Sequence, residues 1–244
     1  MLFIEGISEN AMFSALTFVL ALLGAISGML FIKDKWKAHV ADRSFRQLFA
    51  TGGAPIVVVC PTQSGVSADP NRASTFEDAM AQTYIVGALA SRGSFAESQL
   101  HDNIDDRMRK SDLFLICGPA GNSITKAVFE QVNVPFVFVQ VEGGWQIHEV
   151  GGGSIFTRQE TVDYAIVAAI RNPWNSSSRV WIAAGISGLG TMGAAYLLTH
   201  KSGQLEAALK AENLKLSDSF AAVAPVVQVP TGPKPGIIAV RSAA

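Results

Sequence analysis

The chain has 244 residues, of which 49% are hydrophobic and 16% charged, with a formal net charge of −1. That balance excludes an intrinsically disordered segment and leaves no basic field to attract nucleic acid, so no nucleic-acid partner is expected. Two cysteines exclude a disulfide-stapled scaffold, and 22 glycines without a three-residue period exclude collagen.

Residues 1–10, MLFIEGISEN, carry Glu5 and Glu9 and no lysine or arginine, unlike the basic start of a signal peptide. Residues 11–32 form a run of 22 residues without a charge. A bilayer core needs about 20 helical residues, so this run predicts a single transmembrane helix with the lipid bilayer as partner. Lys33, Lys35, Lys37, Arg43 and Arg46 follow it. Basic flanks stay inside, which puts the amino terminus outside and the rest of the chain on the cytoplasmic face of an inner or plasma membrane. The same basic stretch also suits anionic lipid. Gly24 and Gly28 form a GxxxG. Either it joins two helices into a homo-oligomer, or it reflects the ordinary glycine content of membrane helices.

Residues 33–53 read as a basic juxtamembrane linker ending at Gly52-Gly53, and residues 54–244 as a cytoplasmic α/β domain. Ile56–Cys60 is an apolar, β-branched strand. The loop PTQSGVSADPNRA leads to Ser74-Thr-Phe-Glu77, which has capping-box spacing. The helix that follows runs to about Ala90 with Phe76, Met80 and Tyr84 on one stripe. Phe95–His101 reads as an edge strand, Leu113–Cys117 as a buried strand, and Ser123–Gln131 as a helix. Pro135–Val141 is a strand turning through Glu142-Gly-Gly-Trp145 into Gln146–Val150. Tyr164–Ile170 and Val180–Ala184 are further apolar strands. Helices are expected over Thr191–His200 and Gln204–Ala211, the latter with Glu206 and Lys210 paired at i,i+4. Ala221–Val229 and Ile237–Arg241 close the chain as a hairpin. Continuous apolar strands alternating with helices predict a Rossmann-like or flavodoxin-like three-layer α/β domain with a mixed sheet, behind a single N-terminal transmembrane helix.

In such sheets ligands bind beyond the carboxyl ends of the strands. Three small, polar loops leave strands there and precede helices. They supply Thr62, Ser64 and Gly65, then Gly118, Gly121 and Asn122, then Ser187, Gly188, Gly190 and Thr191. Gly188-Leu-Gly190-Thr-Met-Gly193 is a literal GxGxxG between a strand and a helix, a place where backbone N–H groups can face a phosphate. A nucleotide or dinucleotide is the expected ligand. The acidic residue that a dinucleotide site expects about 20 positions on has only Glu212 or Asp218 to fill it. Arg171 is the candidate counter-charge, and Trp174 either stacks on a base or packs behind an Asn-Pro turn. His39, His101, His148 and His200 lack metal-ligand spacing, so no metal site is expected. Ser187 lacks the last glycine of GxSxG. No general acid can be chosen among Glu97, Glu130, Glu142 and Asp163, and the catalytic residues stay unassigned.

Gly188-Leu-Gly-Thr191 resembles the GxGT of lysine-decarboxylase-like LOG and SLOG nucleotide-binding domains, and Gly118-Pro with Gly121 resembles their earlier glycine-rich turn. The resemblance implies a Rossmann-like nucleotide pocket with GxGT around a phosphate. LOG hydrolases carry a glutamate just after this motif, where Gly193, Ala194 and Ala195 stand here. The expected function is a membrane-anchored domain that binds a nucleotide-like small molecule as a sensor or effector. The alternative is a membrane-tethered, nucleotide-processing hydrolase with an unidentified carboxylate. A carboxylate converging on the glycine loops would favour the enzyme.

Overall fold

The protein is described from a computed structural model covering residues 39, 42–50, 55–62 and 75–243. Chain contacts separate Met1–Arg43 from Ser44–Ala244, and the second unit carries the fold. Residues 42–48 are helical (α1). Strand β1 (Ile56–Cys60), helix α2 (Phe76–Ala90) and strand β2 (Ala96–Leu100) follow. A 3-10 turn over His101–Asn103 leads to α3 (Asp106–Arg109), β3 (Leu113–Ile116) and α4 (Ser123–Gln131). Next come β4 (Phe136–Val141), β5 (Gly144–Glu149), β6 (Ile155–Thr157), β7 (Val162–Asn172) and β8 (Asn175–Gly185). The chain closes with α5 (Gly188–His200), α6 (Ser202–Ala211), β9 (Phe220–Val229), β10 (Gly232–Pro235) and β11 (Ala239–Ser242).

The large sheet has the order β10-β9-β7-β8-β3-β1-β2, with β11 also on β9. Strands β8, β3, β1 and β2 are mutually parallel. Their central members, IVVVC and LFLI, are buried along their whole length, as strands covered on both faces must be. Strand β7 runs antiparallel to both β8 and β9. Strands β4, β5 and β6 make a separate antiparallel sheet rather than extending the large one.

One face of the large sheet packs Phe45 and Leu48 of α1, Ile85 and Leu89 of α2, Leu198 of α5 and Leu205 of α6 against Val58, Phe114 and Trp181. The other packs Ile124 and Val128 of α4, with Phe136 and Ile147 of the small sheet, against Val59, Leu115 and Ile182. The stretch expected as a linker therefore supplies core residues: Phe45 and Leu48 are buried, and Trp181 Nε1 donates to the Leu48 carbonyl at 3.0 Å. Glu206 and Lys210 pair at 2.6 Å. Helix α2 is rotated from its expected setting. Ala81, Ile85 and Leu89 face inward, while Phe76 is 75% exposed.

The expected transmembrane helix over 11–32 lies outside the described residues, as do Gly24 and Gly28. Among the described residues no helix is long and apolar enough to cross a membrane. Within the fold the longest complete helix, α2, has 15 residues, short of the roughly 20 a bilayer demands. The fold class is corrected accordingly to a mixed α/β domain on a large mixed sheet, with the membrane helix dropped from its description.

Candidate functional site

A cavity of about 420 Å³ opens at the carboxyl edge of the parallel strands. Cys117 to Gly121, just after β3, form one side, and Gly185 to Gly188, just after β8, form the next. Thr75 and Asp78 contribute the amino-terminal turn of α2, and Phe138, Gln140 and Trp145 come from the small sheet. The starts of α2 and α5 and the turn leading into α4 thus border one concavity. The parallel direction of β1, β3 and β8 dictates this, because each delivers its following segment to the same edge.

Two of the three expected loops line the cavity through Gly118, Gly121, Ser187 and Gly188. Thr62 of the first loop sits at the same edge but engages His101 Nε2 and Asp102 Oδ2, while His101 Nδ1 meets Ser123 Oγ at 2.8 Å. Ser64 and Gly65 lie outside the described residues. Asn122 is fully buried and works as an internal tie. Its Oδ1 accepts from Ile124 N and Thr125 N, capping α4, and its Nδ2 donates to the carbonyls of Val59 and Ile116, joining β1 to β3.

The GxGxxG segment has a packing role. Asp163 on β7 is 1% exposed, and its Oδ2 accepts from Ser187 N (3.2 Å), Ser187 Oγ (2.6 Å) and Gly190 N (2.6 Å). A protein carboxylate already sits where a phosphate was expected at the start of α5. A Cβ at Gly190 would lie 2.7 Å from the Tyr164 carbonyl oxygen, and one at Gly193 would overlap the Val226 side chain. These glycines let α5 lie against β7 and β9. Thr191 is buried, accepts from Gly185 N at 3.0 Å and donates to the Ser187 carbonyl.

Arg171 is not brought to this edge. Because β7 is antiparallel to β8, Arg171 pairs with Arg179 at the start of β8. There it lines a separate, serine-rich cavity of about 550 Å³ with Ser177, Arg179 and Asp218. Trp174 is partly buried and packs against the second face of the core. Among the described residues lining the first cavity there is no lysine, arginine or histidine.

Asp78 is the site residue that sequence reading missed. The capping box is Thr75 to Asp78 rather than Ser74 to Glu77. Asp78 N donates to Thr75 Oγ1 at 3.2 Å, and Thr75 N donates to Asp78 Oδ2 at 3.1 Å. Asp78 is only 4% exposed, and its Oδ1 has no hydrogen-bond partner among the described residues. Burial raises its carboxyl above the ordinary range; the two Thr75 hydrogen bonds oppose this, and Glu77 adds to it. Cys117 also lines the cavity, with a left-handed φ of 79° that a non-glycine residue rarely adopts. Burial, then the Asp78 charge, pushes the Cys117 thiol up to about 12, so it is held as a protonated thiol.

No family model and no curated protein matches this chain.

Proposed function

We propose that the domain binds a nucleotide-like small molecule in the cavity between α2, α4 and α5, as a sensor or effector. One observation carries the reading: two glycine-bearing strand-to-helix turns, an aromatic wall of Phe138 and Trp145, and a buried carboxylate with a free oxygen all meet in one concavity of ligand size. Aromatic rings offer flat faces to a base, and Gln140 offers both a donor and an acceptor. The resemblance to LOG and SLOG domains contributes only the ligand class to this proposal.

The test is a thermal-shift screen of the protein against nucleosides, nucleotides and dinucleotides, followed by Gly118→Leu. A Cβ at Gly118 meets the Gly185 carbonyl oxygen and the Phe138 ring at 3.6 Å, an ordinary contact, so a side chain can start there beside the cavity without strain at Cβ. Binding by the wild type and loss in the variant, with an unchanged melting temperature, is the expected result. No shift with any nucleoside or nucleotide refutes the reading.

Asp78 also favours a second reading, a nucleotide-processing hydrolase. It is a carboxylate beside the glycine turns, and burial makes its acid form easier to keep, as a general acid requires. Chromatography after incubation with each nucleotide separates the two. Product formed by the wild type and lost in Asp78→Asn assigns the enzyme; intact ligand assigns the sensor.

A further inference from the structure

Resting on the binding reading above, we infer that the cavity recognises the nucleoside part of its ligand, through a neutral hydrogen-bond donor given to Asp78 Oδ1, and that phosphate contributes little to affinity.

The charges around the cavity argue for this. Of the three helix starts, the one at α5 is neutralised by Asp163 and the one at α2 carries Asp78 itself, with Glu77 beside it. The remaining one, α4, is capped by the neutral amide of Asn122. Among the described residues lining the cavity no cationic side chain offsets the carboxylate. A phosphate set against Asp78 in its ionised form would meet like charge in a site of low dielectric, where repulsion is strong.

The polar accounting at Asp78 points the same way. Oδ2 is engaged by Thr75 N, while Oδ1 is buried and unpartnered. Native structures rarely leave such an atom unsatisfied, and an ionised carboxylate can only accept. In that ionised form the group that completes it must donate. Within a nucleoside that chemistry has two sources, a ribose hydroxyl or an exocyclic base amine. Either places the ring system near Trp145 and Phe138, whose faces stack on any base.

The experiment is calorimetric titration of the full chain with adenosine, guanosine, their 5′-monophosphates and inorganic pyrophosphate. It is repeated on Asp78→Asn and Asp78→Ala. In Asp78→Asn the amide oxygen keeps the Thr75 cap, and the NH2 group sits at the Oδ1 position, donor against donor. At least one nucleoside should bind within about tenfold of its monophosphate, and pyrophosphate should not bind. Both variants should lose about 10- to 100-fold, the range for a hydrogen bond to a charged group. With adenosine, loss on removing the 2′- or 3′-hydroxyl assigns the ribose, and loss with inosine assigns the amine. Pyrophosphate binding as tightly as a nucleotide overturns the inference. So does a folded Asp78→Asn protein that binds nucleosides like the wild type. These two results leave the binding reading standing, whereas a folded wild type that binds no nucleoside or nucleotide removes both.

Discussion

Asp163 and Gly190 are joined by a 2.6 Å hydrogen bond that runs from the helix α5 backbone to a carboxylate on the neighbouring strand. The same oxygen accepts from Ser187 N and Oγ, and Asp163 Oδ1 accepts from Tyr164 N. The turn most suggestive of a phosphate site is thus closed from within. Asp163→Ala would leave buried donors unsatisfied and should cost about 2–4 kcal/mol in chemical denaturation. Asp163→Asn keeps one acceptor and should cost less. Equal, small losses in the two variants would show that water replaces the carboxylate at no cost.

Helix α5 also depends on a missing side chain. Gly193→Ala overlaps Val226, and overpacking of this kind costs about 1–3 kcal/mol. Val226→Ala opens the needed space at its own cavity cost. The double variant should be more stable than the sum of the two single losses implies, with a coupling of about 1 kcal/mol. Strict additivity would place the glycine requirement elsewhere.

The pH profile of stability follows from Asp78. Burial raises its folded carboxyl above the ordinary 3.8, so the folded chain holds this proton longer than the unfolded chain does. Its contribution to stability is fully present below the unfolded value. It declines as pH rises through the folded value and stays reduced above it. Asp78→Asn removes this decline, so the variant should gain on the wild type between acid and neutral pH. Asp112, also raised by burial, keeps part of the slope in place. Melting curves from pH 4 to 8 that run parallel in both proteins would refute the assignment.

Cys60 and Cys117 should behave as protonated thiols. Burial, with the Asp78 charge adding to it, pushes both up to about 12 from the ordinary 9.0. Alkylation at pH 8 should therefore be slow in the folded protein, with both thiols titrating only after denaturation. By the same linkage, stability should fall as pH rises from 9 toward 12. Rapid labelling of Cys117 in the native state would contradict this.

The central parallel strands were readable because fully buried strands are written as unbroken β-branched runs, as in IVVVC. Arg171 is not at the glycine loops as expected, although the signal for its true place is in the sequence. Only Pro173 and Trp174 separate β7 from β8, and a parallel crossover needs a dozen residues or more. That short turn forces a hairpin and carries Arg171 to the far edge. Asp78 was missed for a subtler reason. Ser74 to Glu77 and Thr75 to Asp78 both satisfy the capping spacing, and a shift of one residue turns the helix by about 100°. That rotation decides which carboxylate is buried beside the cavity, and only packing chooses between them. Phe138 reads as an ordinary strand residue and Trp145 as part of a hairpin turn; their meeting with Asp78 depends on a small sheet whose docking no local pattern encodes.

The bond from Trp181 Nε1 to the Leu48 carbonyl spans 133 positions, and the adjacent Phe49 ring lies tilted 5.0 Å from the indole. On the ribosome, Phe45, Leu48 and Phe49 emerge long before the strand that covers them. A nascent chain that ends before β8 leaves this helix without its Trp181 contact, since closure of so long a loop must wait for that strand. Synthesis order makes the segment ahead of the first strand one of the last to find its place. Truncations ending before residue 181 should consequently be retained by chaperones rather than accumulate as folded fragments.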